Sequence, residues 1–199
     1  DCRVKKIKGT EKLVLAWPKK LEFEIYNLFN TRYRLHKQVL SHHTVKAYEY
    51  YIIEILRSIK QKSIDFLELT DSIVFCNLHK NQLYDDIKSK MFNRKIPKLV
   101  CEKIIPYTAT HHTIHMFPRR IVDLLVDKVD LGFATGGQNP LTSVYYFEND
   151  NEEANLSDPT ESSFSIPKQF RESILRLYTY DRKRESDAKE FWDILVSEL

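Results

Sequence analysis

Tyr26-Asn-Leu-Phe-Asn-Thr-Arg-Tyr-Arg-Leu-His-Lys-Gln-Val-Leu-Ser-His-His-Thr-Val45 is the stretch on which the reading of this 199-residue chain turns. Tyr26, Phe29 and Tyr33 recur at spacings of three and four, the period of a helix with one apolar face. From Phe23 no glycine or proline interrupts the chain until Pro97. Arg32, His36, Val39 and His43 fall at spacings of four, three and four. A continuous helix would therefore present guanidinium and imidazole groups about one turn apart, which suits a polyphosphate. Arg34 and Lys37 lie beside that face. The same pattern serves a basic helix whose charges meet neighbouring carboxylates, and the residues by themselves favour that plainer reading.

Working outward, Val45, Tyr48, Ile52, Ile55 and Ile59 form a second helical stripe, with a serine or threonine of Ser41-His42-His43-Thr44 placed to cap it. Phe66 to Leu78 suggests a third helix. Leu83, Ile87 and Met91 mark a shorter fourth. The first half is thus expected to be a helical bundle. After it come short β-branched or aromatic runs: Lys98–Ile105, Ile121–Val126 and Ser143–Phe147, bounded by Pro106, the Gly132–Gly137 segment and Pro140. They read as strands of a small antiparallel sheet, with 120–128 equally compatible with helix. The acidic, apolar-poor segment 148–163 is expected to be a mobile loop. Pro167 is placed to open a helix carrying Phe170, Ile174 and Leu177. Ser186–Leu199 reads as a closing amphipathic helix. The expected class is α+β, mainly α.

Composition narrows the function classes. There are 31 Lys+Arg against 28 Asp+Glu and 42% hydrophobic residues, enough for one or two cores, which excludes collagen-like, mucin-like and disordered chains. No apolar run is long enough for a membrane span. Cys2, Cys76 and Cys101 lack any C-x-x-C spacing, which argues against a disulfide framework or zinc ribbon and for a reducing, intracellular setting, nuclear or cytoplasmic. The chain opens Asp1-Cys2-Arg3 without an export signal, so part of a longer chain is expected. Charge is uneven: residues 1–62 hold 14 basic and 6 acidic side chains, whereas 141–170 hold 1 and 6. A basic first third suits phosphate-bearing partners, although a solvated face explains it as well.

Motifs of autonomous chemistry are missing. His111 and His115 are four apart, as on a zinc-binding helix, but the Thr and Ile around them favour strand, where they would lie ~13 Å apart. The glycines lack P-loop or dinucleotide-fold spacing, and no G-x-S-x-G or H-E-x-x-H is present. The tyrosines at 48, 50 and 51 and the Phe191-Trp192 pair read as packing rather than cofactor contacts.

The opening stretch nevertheless resembles a segment of the sterile-alpha-motif and HD-domain deoxynucleoside triphosphate triphosphohydrolases, roughly Y-x-x-F-x-T-R-x-x-L-H-x-x-x-Y-x-H-x-x-V. Tyr26, Phe29, Thr31, Arg32, Leu35, His36, His42 and Val45 carry the match. Leu69-Thr-Asp-x-Ile73, the Gly132–Pro140 region leading into Val144–Phe147, and Leu175-Arg-Leu-Tyr178 with Asp181-Arg-Lys resemble later parts of the family in the same order.

The resemblance covers the part after the family's HD core. It implies residues 1–95 as a helical part adjoining that core and 96–199 as a C-terminal α+β regulatory and oligomerisation lobe, with 148–163 as its acidic loop. It further implies hydrolysis of a dNTP to deoxynucleoside and triphosphate by the parent protein. Arg32 is implied as the catalytic-site arginine on substrate phosphate, with His36 and Leu40 lining the substrate pocket. Lys20, His42 and His43 are implied at an allosteric nucleotide site. The family's divalent metal (Zn, Mn, Mg or Fe) is held by an H…HD…D set that this chain does not match, so no cofactor is expected on the chain itself. A GTP or dNTP activator and a homo-oligomer, dimer or tetramer, are implied for the parent.

Three positions depart from the pattern: Leu40 stands where the family has a sugar-packing tyrosine, Gln38 where it has an arginine, and His43 where it has a lysine. These departures motivate the alternative of a catalytically inactive relative that binds nucleotide or single-stranded nucleic acid. No membrane partner is expected.

Overall fold

The computed structural model describes residues 2–60, 67, 70–71, 82–106, 120–121, 123–149, 152–158, 160, 162 and 164–197. Its elements are β1 (Arg3–Lys6), β2 (Leu13–Pro18), α1 (Glu22–Leu35), α2 (His43–Lys60), α3 (Gln82–Phe92), β3 (Lys98–Ile105), β4 (Arg120–Ile121), β5 (Leu124–Gly132), β6 (Tyr145–Phe147), β7 (Asn155–Leu156), β8 (Arg171–Thr179) and α4 (Glu185–Ser197). This is the mixed helix-and-sheet class that the sequence implies. The strands form two four-stranded sheets, ordered β1-β2-β6-β7 and β3-β8-β5-β4. Contacts divide the chain into two units, each discontinuous in sequence: Asp1–Val39 with Ile104–Ala109 and Val129–Ile174, and the remainder.

In the first unit β1 and β2 are antiparallel, with Val4 opposite Leu15, and β2 runs parallel to β6, with Ala16 opposite Tyr145. Ala16, Phe147 and Ala154 are buried together on one face. On β2 the alternate residues Leu13 and Leu15 stay 65% and 64% exposed. Leu13-Val14-Leu15-Ala16-Trp17 is therefore apolar on both faces, which erases the period-two signal and explains why periodicity assigned no strand there.

The start of α1 is fixed by the buried Glu22 carboxylate, which accepts from Lys19 Nζ at 2.8 Å and from the Ser157 hydroxyl. Further along, Tyr33 packs on the buried Val129, Leu131 and Ile174.

In the second unit Tyr51 and Ile55 of α2 meet Tyr84 and Ile87 of α3 in one core cluster, and Ala47 meets Leu125 and Tyr178 in another. The stripe of tyrosines serves packing, as expected. Tyr48 donates to the Met91 carbonyl at 3.2 Å, Tyr51 to the Lys95 carbonyl at 2.9 Å, and Tyr50 to Asp127 Oδ1 at 2.7 Å. Arg176 is 4% exposed and places Nε 2.6 Å from Glu102 while Nη1 donates to the Ser41 carbonyl. Trp192 and Leu195 of α4 are buried.

Three expectations need correction, and one open assignment is settled. Residues 171–179 form strand β8 rather than a helix: Ser173 to Thr179 are buried without a break, so no alternation survives and the chance spacing of Phe170, Ile174 and Leu177 imitates a helix. Residues 124–132 are strand, resolving the ambiguity left at 120–128. The 148–163 segment is not all loop, since β7 pairs with β6, and Ala154 donates to the Lys6 carbonyl at 2.7 Å. The continuous Arg32-to-His43 helix is broken: α1 stops at Leu35, a π-helical turn covers His36–Leu40, and α2 starts afresh at His43. Most of the expected third helix, and His111, His112 and His115, lie outside the described residues.

Candidate functional site

Helical spacing brings Arg32 and His36 to the same cavity, of about 330 Å³, in the first unit. Arg32 is in the last turn of α1 and His36 opens the π-helical turn, a local widening of the helix that often marks functional positions. The opposite walls come from the end of β5 (Asp130, Leu131, Gly132), the following turn (Ala134, Gly136, Gly137) and Arg171 at the start of β8.

That turn needs unusual backbone. Ala134, Gly136 and Gly137 have φ of 68°, 67° and 101°, the left-handed region that only glycine enters freely. Gly132 has a different reason to lack a side chain, because a Cβ there would sit 3.1 Å from the Phe170 carbonyl oxygen. That same oxygen accepts a hydrogen bond from the Phe133 N–H at 3.2 Å, so turn and strand approach by backbone alone.

The charges at the cavity are unequally committed. Asp130 is held by the Ser173 hydroxyl on Oδ1 and lies 3.6 Å from the Arg171 guanidinium through Oδ2. The Arg32 and His36 side chains, by contrast, make no hydrogen bond or ion pair among the described residues. An exposed guanidinium without a carboxylate partner, beside an imidazole and a second arginine, is an anion-binding arrangement.

The other expected site residues are placed as follows. Lys20 is exposed in the short 3-10 turn Lys19–Leu21 of the first unit, where its neighbour Lys19 is the lysine committed to Glu22. Leu40, His42 and His43 belong to the second unit. Leu40 is 48% exposed. His42 Nδ1 accepts from the Thr44 N–H at 3.3 Å, at the start of α2, and its ring centroid lies 4.1 Å from that of His43. Burial lowers the His43 pKa, helped by the neighbouring His42 and Arg176.

Sequence reading missed Asp130, Arg171 and the Ala134–Gly137 turn. The helix drawn through residue 171 hid the arginine. The Gly132–Gly137 segment reads from sequence as a boundary between strands, and nothing in its spacing says that it walls a cavity.

The resemblance brings a divalent metal with it. Among the described residues no three His, Cys, Asp or Glu side chains converge so that they could hold one, so they do not fit that group. Among the same residues no helix is long and apolar enough to cross a membrane.

No protein-family model matches the chain. A protein of Acanthamoeba polyphaga mimivirus named Putative HD domain-containing protein is 26% identical over 91% of this chain and 48% of its own length. A Dictyostelium discoideum protein named Deoxynucleoside triphosphate triphosphohydrolase SAMHD1 homolog is 25% identical over 81% of this chain and 36% of its own. The chain thus spans half or less of these curated relatives. Among solved structures, a hypothetical protein from Aquifex aeolicus superposes with a TM-score of 0.61 at 19% identity, covering 88% of this chain and 46% of that one, which speaks for the fold alone. By these similarities the chain is a distant homologue of HD-domain proteins of the SAMHD1 type.

Proposed function

We propose that this chain is the C-terminal lobe of a divergent deoxynucleoside triphosphate triphosphohydrolase and that Arg32 grips the substrate's polyphosphate. The observation that carries the reading is the uncommitted Arg32 guanidinium at a cavity it shares with His36 and Arg171. Arg176, by contrast, is buried and paired with Glu102, as an arginine that serves packing is. In this reading the chain binds and orients: Arg32 and Arg171 neutralise phosphate oxygens and His36 adds a hydrogen bond. Bond cleavage belongs to metal-holding residues of the parent protein.

Allosteric nucleotide contacts by Lys20, His42 and His43, and a dimer or tetramer built through residues 96–199, are part of the same proposal. The test is release of triphosphate from dGTP, with Mn²⁺ or Mg²⁺, by the parent protein containing the H…HD…D residues. Arg32→Ala should cut the rate strongly, and an unchanged rate would remove the role given to Arg32.

A second reading has its own observation. Leu40 is exposed, apolar and unable to hydrogen-bond where the family resemblance expects a sugar-packing tyrosine. With the basic residues 1–62, this favours an inactive relative that scaffolds nucleic acid. Affinity for single-stranded nucleic acid should then fall steeply with salt. Affinity that stays flat across ionic strength counts against it.

A further inference from the structure

The second unit holds a cavity of about 320 Å³ in the groove between α2 and α3, at the lower end of the size range of small-ligand sites. Tyr48 and Ile55, seven residues apart on one face of α2, form one side, and Met91 and Phe92 from the last turn of α3 form the other. Ile55 is buried and belongs to the core cluster beneath, whereas the Phe92 side chain is 74% exposed. Among the described residues no other ring and no ammonium group stacks on Phe92 or Tyr48, and both line the cavity.

Beside these apolar walls the cavity offers positive charge and no negative charge. The carbonyls that end α3 are already taken. Ser89 accepts from the Asn93 N–H at 3.0 Å, Lys90 from the Lys95 N–H at 2.8 Å, and Met91 from both the Arg94 N–H at 3.1 Å and the Tyr48 hydroxyl at 3.2 Å. Among the described residues no carboxylate lines the cavity, and its charged residues are Lys88 and Arg94. Lys88 holds its ammonium 5.7 Å from the centre of the Tyr84 ring. Arg94 stands at the left-handed position that closes the helix, with φ of 54°, where glycine or asparagine is usual. Its side chain is exposed and makes no hydrogen bond or ion pair among the described residues.

Apolar walls with cations at one end suit a molecule that has an apolar body and a single anionic head. Two copies of this chain meeting through the groove would bring their own Lys88, Arg94 and Lys95 together, which disfavours a second chain as the occupant. We propose that the α2–α3 groove binds a medium-chain fatty acid, with the acyl chain on Ile55, Met91 and Phe92 and the carboxylate on Arg94, to which Lys88 adds charge. The proposal does not rest on the polyphosphate reading of Arg32.

The experiment is isothermal titration of the full chain with octanoate, hexanoate and the uncharged octanol. Octanoate should bind. Hexanoate should bind more than tenfold more weakly, since each buried methylene contributes roughly fourfold. Octanol, which lacks the charge, should bind about tenfold more weakly than octanoate. Arg94→Gln keeps a side chain at the same backbone position and should weaken octanoate about tenfold while leaving octanol unchanged. Phe92→Ala trims an exposed ring and should weaken both. Absence of octanoate binding, octanol binding as tightly as octanoate, or octanoate affinity unchanged by Arg94→Gln overturns the proposal. A dimer in sedimentation that Phe92→Ala abolishes would seat a second copy in the groove and overturns it as well.

Discussion

The Tyr33 hydroxyl donates to Glu172 Oε1 at 2.8 Å across 139 residues of sequence. Lys37 Nζ completes the triangle, 3.1 Å from the hydroxyl and 2.6 Å from the carboxylate. Burial raises the Tyr33 pKa, Lys37 pulls it down and Glu172 pushes it up again. The triangle locks the C-terminal half of α1 to the start of β8, and so fixes where Arg171 stands relative to Arg32.

Tyr33→Phe removes one donor and leaves the Lys37–Glu172 pair in place. We expect a loss of about 1 kcal/mol, the net worth of an ordinary hydrogen bond, and no new void. Urea unfolding midpoints of the two proteins check it. A loss several times larger would mean that the hydroxyl organises more than this contact.

Asp127 makes a pH prediction. Its Oδ2 is buried without a hydrogen-bond partner among the described residues, and burial raises its pKa although the Tyr50 hydroxyl, Lys46 and Arg176 oppose the rise. A carboxyl raised in the folded state binds its proton more tightly there than in the unfolded chain. Its contribution is therefore favourable below the unfolded value of about 3.9 and is lost as pH climbs to the folded one. Asp127→Asn keeps an acceptor for Tyr50 and removes the titration. Thermal melts between acid and neutral pH should show the variant gaining on the parent as pH rises through that window. A constant difference across the window would rule the assignment out.

Gly132→Ala should cost about 1–3 kcal/mol, because its Cβ would press at 3.1 Å on a backbone oxygen that cannot swing aside. Gly137→Ala fails differently: there is room near Arg171, but φ of 101° strains any Cβ-bearing residue. If both variants melt with the parent, the turn is more plastic than its geometry implies.

These residues show what the sequence could and could not disclose. The first two helices were legible because Tyr26, Phe29 and Tyr33, and then Tyr48, Ile52 and Ile55, keep one face apolar and the other wet. Lys98–Ile105 was legible from its β-branched run, and α4 from its closing stripe. β8 was not, because a strand buried on both faces has no period to read. The π-helical turn at His36–Leu40 leaves the sequence spacing untouched while changing what that spacing means, so the expected single face from Arg32 to His43 does not form. At the site, Arg32 and His36 were named from spacing and resemblance, and they line one cavity. Arg171 and Asp130 come from strands far along the chain, and no local pattern announces them.

The central claim is that the Arg32 side chain, without a partner among the described residues, receives polyphosphate, and titration of inorganic triphosphate into the chain and its Arg32→Ala variant tests it most directly. Since the side chain makes no bond among the described residues, the variant should unfold within about 0.5 kcal/mol of the parent. Its triphosphate affinity should nevertheless fall about 10- to 100-fold, the worth of charge-assisted hydrogen bonds of roughly 1.5–3 kcal/mol. Equal affinity in two equally stable proteins would contradict the account.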